Sequence, residues 1–282
     1  MKYLFVFVLF FLRAAYCQFA PGAKEIAISN SDVALSNDVF SVFNNPAGPS
    51  QLKWREIGIF YSPSPFGLKQ LANGYAAYNE PFSFGSVTIG GMSYGFDLYK
   101  ESKIILGFSH GFSGRFFAGI TITYHTFSIK NYGSASAFYI NAGGLAYLTK
   151  KLRWGFYITN INRATVSTSD NQIPMILSTG FSYNVIDDMS FNFSFEKDVQ
   201  YAPELHFGID YQIINNLSLR SGFSTNPSDF SAGIGLNFPY FELNYAFVKH
   251  PDLGLTHQVG IIITFQRVTN RYNKIMGYLE SN

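Results

Sequence analysis

From about residue 54 to Phe265 the chain repeats one short unit roughly fourteen times, apolar residues alternating with small or polar ones and then a brief turn. A period of two belongs to the β-strand, whose successive side chains point to opposite faces. Near the C-terminus, Leu205, Phe207, Ile209, Tyr211 and Ile213 share one face, and His206, Gly208, Asp210 and Gln212 share the other. Leu217, Leu219 and Phe223 oppose Ser218, Arg220 and Gly222 in the same way, and Phe230 to Phe238 repeats the pattern. A soluble sandwich also alternates, but it covers its outer face with charge. Here the second face is mostly Gly, Ser, Thr and Asn, and only 13% of the chain is charged, against about 25% in an ordinary soluble domain. With 18% aromatic residues, the apolar face suits lipid better than a core, as in outer-membrane barrels.

The N-terminus has the layout of a secretory signal peptide: Lys2, an apolar run from Tyr3 to Leu12, then Ala14, Ala15, Tyr16 and Cys17. The run is too short to span a bilayer as a helix, which takes about twenty residues. Cleavage is expected between Cys17 and Gln18, with Ala15 and Cys17 as the small residues before the cut. The rival, lipidation of Cys17, is opposed by the bulk of Tyr16. Cleavage there leaves no cysteine and hence no disulfide in an oxidising compartment. It also removes Lys2 and Arg13 of the 20 basic residues, leaving 18 against 18 acidic ones, a balance that argues against a nucleic-acid partner.

Turn signals divide the repeat into strands at 54–62, 69–79, 83–98, 102–112, 115–130, 134–149, 151–161, 174–185, 188–198, 203–213, 216–224, 229–238, 240–248 and 256–266. The even count fits a single-chain antiparallel transmembrane barrel, whose closed ladder satisfies every backbone donor and acceptor in lipid. Gly90-Gly91 marks a place where the third segment could bulge or split. Connections after even strands look short: Asn79-Glu80-Pro81, Thr149-Lys150-Lys151, Asp187-Asp188, Asn215-Asn216 and Phe238-Pro239-Tyr240. The longest, Asn160 to Pro174 and Lys249 to Thr256, follow odd strands. Short turns face the periplasm in such barrels, so both termini are expected there.

The expected organisation is a signal peptide at 1–17, a plug at 18–53, a barrel at 54–266 and a periplasmic tail at 267–282, its end a short helix or a frayed strand of chain. Residues 18–53 read as turns around one short helix, capped by Ser36, Asn37 or Asp38 and ended by Asn44-Asn45-Pro46-Ala47-Gly48-Pro49. A disordered leader is the bland alternative. Val33, Ala34, Leu35, Val39, Phe40, Val42 and Phe43 are too apolar to leave in water, and a barrel of this size has a lumen to fill.

Two motifs carry a resemblance. Gly22-Ala23-Lys24-Glu25 through Ala34-Leu35-Ser36-Asn37-Asp38 to Asn44-Asn45-Pro46-Ala47-Gly48 is similar to the N-terminal motif of the PorV/PorQ family, a branch of the FadL-type outer-membrane proteins. Leu219-Arg220-Ser221-Gly222-Phe223, Ala232-Gly233-Ile234-Gly235, Asn244-Tyr245-Ala246-Phe247 and His250-Pro251-Asp252-Leu253-Gly254 resemble its far end. The resemblance implies fourteen strands, an N-terminal hatch and a role linked to type IX secretion, with a secretion translocon or exported cargo as partner. FadL-type relatives instead take up hydrophobic small molecules. The chain departs from the family in its short loops and in Asn244, where an Asp is usual.

If the alternation holds, His125, Glu196, His206, Asp210, Arg220 and Glu242 face the lumen. Such charges line a solute path or, more in keeping with the usual pairing of buried charge, fasten the interior, with Arg220 joined to Asp210 or Glu242. Serine is frequent on this face, so a serine near His206 and Asp210 carries little weight; no enzymatic activity, cofactor or metal is expected. His250, Asp252 and His257 have a spacing that suits a turn better than a metal site. Trp54, Tyr61, Phe66, Tyr75, Tyr78, Tyr99, Trp154 and Tyr240, near strand ends, are expected in an interfacial girdle against outer-membrane lipid.

Overall fold

A computed structural model of the chain describes residues 21–166, 172–199 and 201–280; the expected signal peptide and its Cys17–Gln18 junction lie outside them. Fourteen antiparallel strands close into one barrel in which each pairs with its sequence neighbours and the first with the last. They are β1 (Glu56–Ser62), β2 (Asn73–Phe82), β3 (Gly85–Phe96), β4 (Tyr99–Phe112) and β5 (Phe116–Ile129). Next come β6 (Gly133–Tyr147), β7 (Leu152–Ile158), β8 (Ile176–Ile186), β9 (Met189–Asp198) and β10 (Glu204–Ile214). The wall ends with β11 (Leu217–Ser224), β12 (Phe230–Asn237), β13 (Phe241–His250) and β14 (Gly254–Thr264). Closure follows from the solvent: hydrocarbon offers backbone groups no partners, so the sheet must be its own.

The alternation is the fold's code for inside and outside. Outward residues such as Ile104, Leu106, Ile122 and Phe138 are exposed, which in a membrane means exposed to acyl chains. Several boundaries move. The second strand starts at Asn73, not residue 69, because Pro65–Gly67 and Lys69–Leu71 make two 3-10 turns in the preceding connection. The turn expected at Asn79-Glu80-Pro81 falls at Ser83-Phe84 instead. Pro81 stays in β2, beyond the last β1 partner at Asn79, where its missing N–H leaves no ladder bond unmade. The Lys249–Thr256 loop shrinks to 251–253, since β13 runs on to His250. No bulge occurs at Gly90-Gly91, through which the register stays regular on both sides. The irregular steps lie at Asn184/Ile186 and Gln212/Ile214.

Residues 21–53 fill the lumen. The segment holds two short helices, α1 (Ala23–Ala27) and α2 (Ser41–Asn44), and a 3-10 turn at Gly48–Gln51. Val39, Phe40 and Val42 pack on Phe60, Tyr75, Ala77, Met92 and Ile105 of the inner wall. The helix near residue 40 is a single turn whose N-cap is Phe40, so none of Ser36, Asn37 and Asp38 caps it by position. Asp38 still accepts from the Phe40 N–H at 3.0 Å. The last helix, α3 (Arg271–Glu280), settles the alternative between helix and frayed end. Its Ile275, with Val268, packs beneath Trp54, Phe117 and Leu145.

The glycines of the inner face are the imprint of the plug. A Cβ built on Gly119 would stand 2.0 Å from the Pro46 carbonyl oxygen, one on Gly155 2.3 Å from that of Val33, and one on Gly222 2.4 Å from the Ile28 carbonyl carbon. At Gly90 it would stand 2.9 Å from Phe43, so this glycine makes room for a ring and not for a kink. Gly119→Ala is therefore expected to push the plug off the wall, at a cost of about 1–3 kcal/mol for overpacking against rigid backbone. Limited proteolysis of the plug in the folded barrel should rise, while Gly74→Ala, with nothing closer than 3.6 Å, should match wild type. Equal cleavage of the two variants would refute this account of the glycines.

Candidate functional site

Chemistry-bearing side chains gather where the plug, the wall and α3 meet, at the mouth that carries the turns after even strands. Lys24 of α1 pairs with Asp38 at 2.9 Å and also donates to Asn37, with only 4% and 1% of the two ion-pair side chains exposed. A charge so deeply buried is tolerable only when paired. Burial alone would raise the Asp38 pKa, but the Lys24 ammonium, a hydrogen bond from Glu25 and the Arg271 guanidinium outweigh it and hold the carboxyl well below its ordinary range. Burial, with the Asp38 charge adding to it, lifts Glu25 far above that range. Burial also lifts Asp32 to about 6, against a hydrogen bond from Asn44.

Arg271 opens α3 and ties three parts of the molecule together. Its Nη1 donates to Glu56 of β1, its Nε to Glu242 of β13, and Nη1 also reaches the Asn37 carbonyl of the plug at 3.2 Å. Glu56 in turn accepts from the Trp54 indole at 2.7 Å and from the Val39 N–H at 3.1 Å. Trp54, expected in the interfacial girdle, is 1% exposed, because its indole N–H finds this carboxylate inside. Tyr75 is likewise interior, edge-on to Phe43 with ring centroids 5.2 Å apart. Tyr61 and Tyr240 do lie exposed on the outside.

Beside this network lies a polar cavity of about 80 Å³, lined by Lys24, Arg153, Asp210, Arg220, Glu242 and Arg271 among others. Arg220 pairs with Asp210 at 2.9 Å and donates to Asn244 at 2.6 Å. Glu242 goes to Arg271 instead. Arg153 of β7 is 1% exposed and donates to Ser182 and Asn184, each at 2.8 Å.

Of the six lumenal residues expected from the sequence, Asp210, Arg220 and Glu242 line this cavity. The other three sit toward the opposite mouth: His125 meets Glu101 at 3.0 Å, Glu196 accepts from Ser178 at 3.0 Å, and His206 donates to the Ser29 carbonyl at 2.8 Å. The Asn44-Asn45-Pro46-Ala47-Gly48 motif is the plug's foothold. Asn45 donates to Val33 O at 2.7 Å and to Gly144 O of the wall at 3.1 Å, Asn44 donates to Asp32, and Pro46 abuts Gly119. His250 accepts from the N–H groups of Asp252 and Leu253 in its own turn, whereas His257 bonds Tyr245 on the outer face. Gly-x-Ser-x-Gly is spelled at 91–95 and 107–111, but both run straight through β3 and β4. Neither makes the strand-to-helix turn that exposes a nucleophile.

Sequence inspection missed Lys24, Asp38, Glu56, Arg153 and Arg271. In a chain this poor in charge, a carboxylate or guanidinium at an inward strand position, or inside an apolar leader, was the available signal. Arg271 lies outside any periodic element of the barrel and offered none.

The comparisons with known proteins agree with the barrel fold. Residues 86–275 match the family model described as "Type IX secretion system membrane protein PorP/SprF". Among solved structures, the chain resembles the CymD monoaromatic hydrocarbon channel at TM-score 0.66 and 12% identity, over 87% of this chain and 98% of that one. It resembles the toluene transporter TodX of Pseudomonas putida at TM-score 0.63 and 12% identity, over 88% and 98%. A FadL homologue of Pseudomonas aeruginosa gives TM-score 0.63 at 10% identity, over 88% and 97%. At such identities the likeness is one of fold. No curated protein sequence matches the chain.

Two outcomes are expected. Arg271→Met leaves Glu56 and Glu242 buried without their partner and should cost about 3–5 kcal/mol, read as a lowered temperature for loss of heat-modifiable gel mobility; a shift within error of wild type would contradict the network. The docked plug also binds more protons at Glu25 and Asp32 than the undocked segment does. Its docking should weaken as pH rises from the ordinary carboxylate range through about 6 for Asp32 and onward for Glu25. Asp38 works the other way, its contribution present above the ordinary carboxylate range and lost only as pH falls through its depressed pKa. Hydrogen exchange of plug amides should quicken from about pH 5 to about pH 8 beyond the intrinsic base catalysis, and a profile that follows intrinsic rates alone would rule this out.

Proposed function

The chain belongs to the PorP/SprF family of type IX secretion system membrane proteins, and from that premise we propose that it is a non-enzymatic outer-membrane component of protein export. Its partners on this reading are a secretion translocon or the exported cargo. The observation that carries the proposal is the family match, supported by a lumen filled with the chain's own N-terminal segment. A plugged barrel with a cavity of about 80 Å³ suits a docking or anchoring subunit better than a conduit. Kinship with the PorV/PorQ branch rests on the two terminal motifs; the type IX link is common to both families.

Within this proposal residues 1–17 are removed as a signal peptide, the even-strand turns and α3 face the periplasm, and residues 267–282 close that mouth. The cavity flanked by Asp210, Arg220 and Glu242 then opens toward periplasmic partners.

Uptake of small hydrophobic solutes is favoured by one observation, the fold likeness to hydrocarbon channels. Such a role needs a kinked or parted wall beside an apolar lumenal pocket. Here β3 keeps its register through Gly90-Gly91 and the cavity lining is polar and charged, so export is preferred.

Deletion of the gene followed by quantitative proteomics of the culture medium is the decisive experiment. Loss of at least one exported protein, restored by the wild-type chain and recovered together with the barrel in mild detergent, is the expected result. An unchanged exported proteome, with impaired uptake of a monoaromatic hydrocarbon, would transfer the proposal to transport.

A further inference from the structure

Strands β3 to β6 are longer than the rest of the wall, and their extra length rises past the lipid-facing band at the mouth opposite α3. The outward apolar rows end at Ile104, Tyr124 and Phe138, which are paired neighbours across β4, β5 and β6. Above them the outward rows read Ser102, Thr126 and Ser136, then Lys100, Ser128 and Ser134. Rows of this kind belong in water, so the four strands stand clear of the bilayer as a fin.

One edge of the fin is covered, and the other is open among the described residues. On the β3 side, pairing with β2 reaches Tyr94 opposite Asn73, and the Gly95 N–H donates to Ala72 O at 3.1 Å. On the β6 side, pairing with β7 spans only Ala142 to Tyr147. The residues after β7 extend the cover a little: Ile161 N–H donates to Ile140 O at 2.9 Å. The Asn162 side chain accepts from Ile140 N–H at 2.9 Å and donates to Phe138 O at 3.2 Å. Since Phe138 and Ile140 turn their backbone groups toward this side, the alternation of an antiparallel strand turns those of Ser136 and Ser134 the same way. Among the described residues nothing pairs with the backbone groups of Ser134 or Ser136 on that side, and both residues are exposed. Free edges are ordinarily blunted by Lys, Pro or inward charge. Gly133-Ser134-Ala135-Ser136-Ala137 contains none of these.

We propose that this edge of β6 is a docking site for an extended segment of a partner polypeptide, which joins the fin as an additional strand. The N–H and C=O groups of Ser134 and Ser136 supply the hydrogen bonds, as in other strand additions. The small side chains of residues 133–137 leave an incoming chain unobstructed on both faces. Tyr132, 89% exposed at the hairpin tip, and Phe138, 63% exposed at the lipid boundary, give apolar footing at the two ends. Recognition runs through the main chain, so the partner is defined by its extended conformation more than by its side chains. The proposal rests on the edge alone and is independent of the export role.

Hydrogen exchange of the full-length protein tests it, comparing the barrel purified into lipid nanodiscs with the barrel in outer-membrane vesicles of its own host. In nanodiscs the Ser134 and Ser136 amides should exchange freely. In the vesicles they should slow by at least about tenfold, and Ser134→Pro and Ser136→Pro should each abolish that protection. Each proline removes an N–H that faces the open edge and leaves the β5–β6 ladder intact, which heat-modifiable mobility verifies. Equal exchange in nanodiscs and vesicles overturns the proposal. Protection already present in nanodiscs, or protection surviving in both proline variants, overturns it as well. If neither variant folds, the wild-type comparison alone decides.

Discussion

Hydrocarbon offers no hydrogen bonds to a peptide group, and the architecture follows from that lack. A chain crossing the bilayer with strands has to close its sheet, because an open edge in lipid leaves a column of donors and acceptors unmet. Closing fourteen strands creates an interior wider than side chains alone can fill. The chain fills it with its own first residues, and a backbone packed against a wall needs that wall to be thin where the two meet. Glycine at positions such as Gly119, Gly155 and Gly222 meets this demand, so the small-residue face of the strands is shaped by the plug more than by any solute path.

Charge is arranged by the same economy of partners. The outer face is apolar over the lipid-facing band, and ionic groups concentrate inside and at the rims. Inside, ionic contacts tie separate pieces of chain together: Lys24 to Asp38 within the plug, Arg220 to Asp210 between neighbouring strands, and Arg271 to Glu56 and Glu242 across the closing seam. Pairing in a dry interior adds little net stability over an apolar substitute, yet breaking one member is costly. The network therefore works as a specification of which pieces meet, holding α3, the plug and the β13–β14–β1 seam in one arrangement.

The likeness to hydrocarbon channels illustrates how little a barrel says about its work. What is shared is the fold, while function resides in sites carried on it. In this chain the interior is occupied, the remaining cavity is polar, and the rim is tall on one side only.

Much of the molecule was legible from alternation alone. All fourteen strands occur in the expected order, with some ends moved, and Phe207, Ile209 and Leu219 face outward as their spacing requires, because side-chain direction in a strand is a local property of the backbone. The plug was legible from the apolar run around Val39 to Phe43, which water would not tolerate. Pairing was legible only where partners share neighbouring strands, as Arg220 and Asp210 do; Glu242 meets Arg271 and not Arg220, because Arg271 comes from a segment that only the closed barrel brings near. The open edge of β6 is of the same kind, since a strand has a free side only where its neighbour ends. Sequence by itself determined the strands, their faces and the membrane as their solvent, all consequences of short-range geometry and transfer energy. The tertiary structure decided which partners the charges of the plug, the seam and α3 meet, and which edge is left bare among the described residues, because those depend on how segments far apart along the chain are brought together.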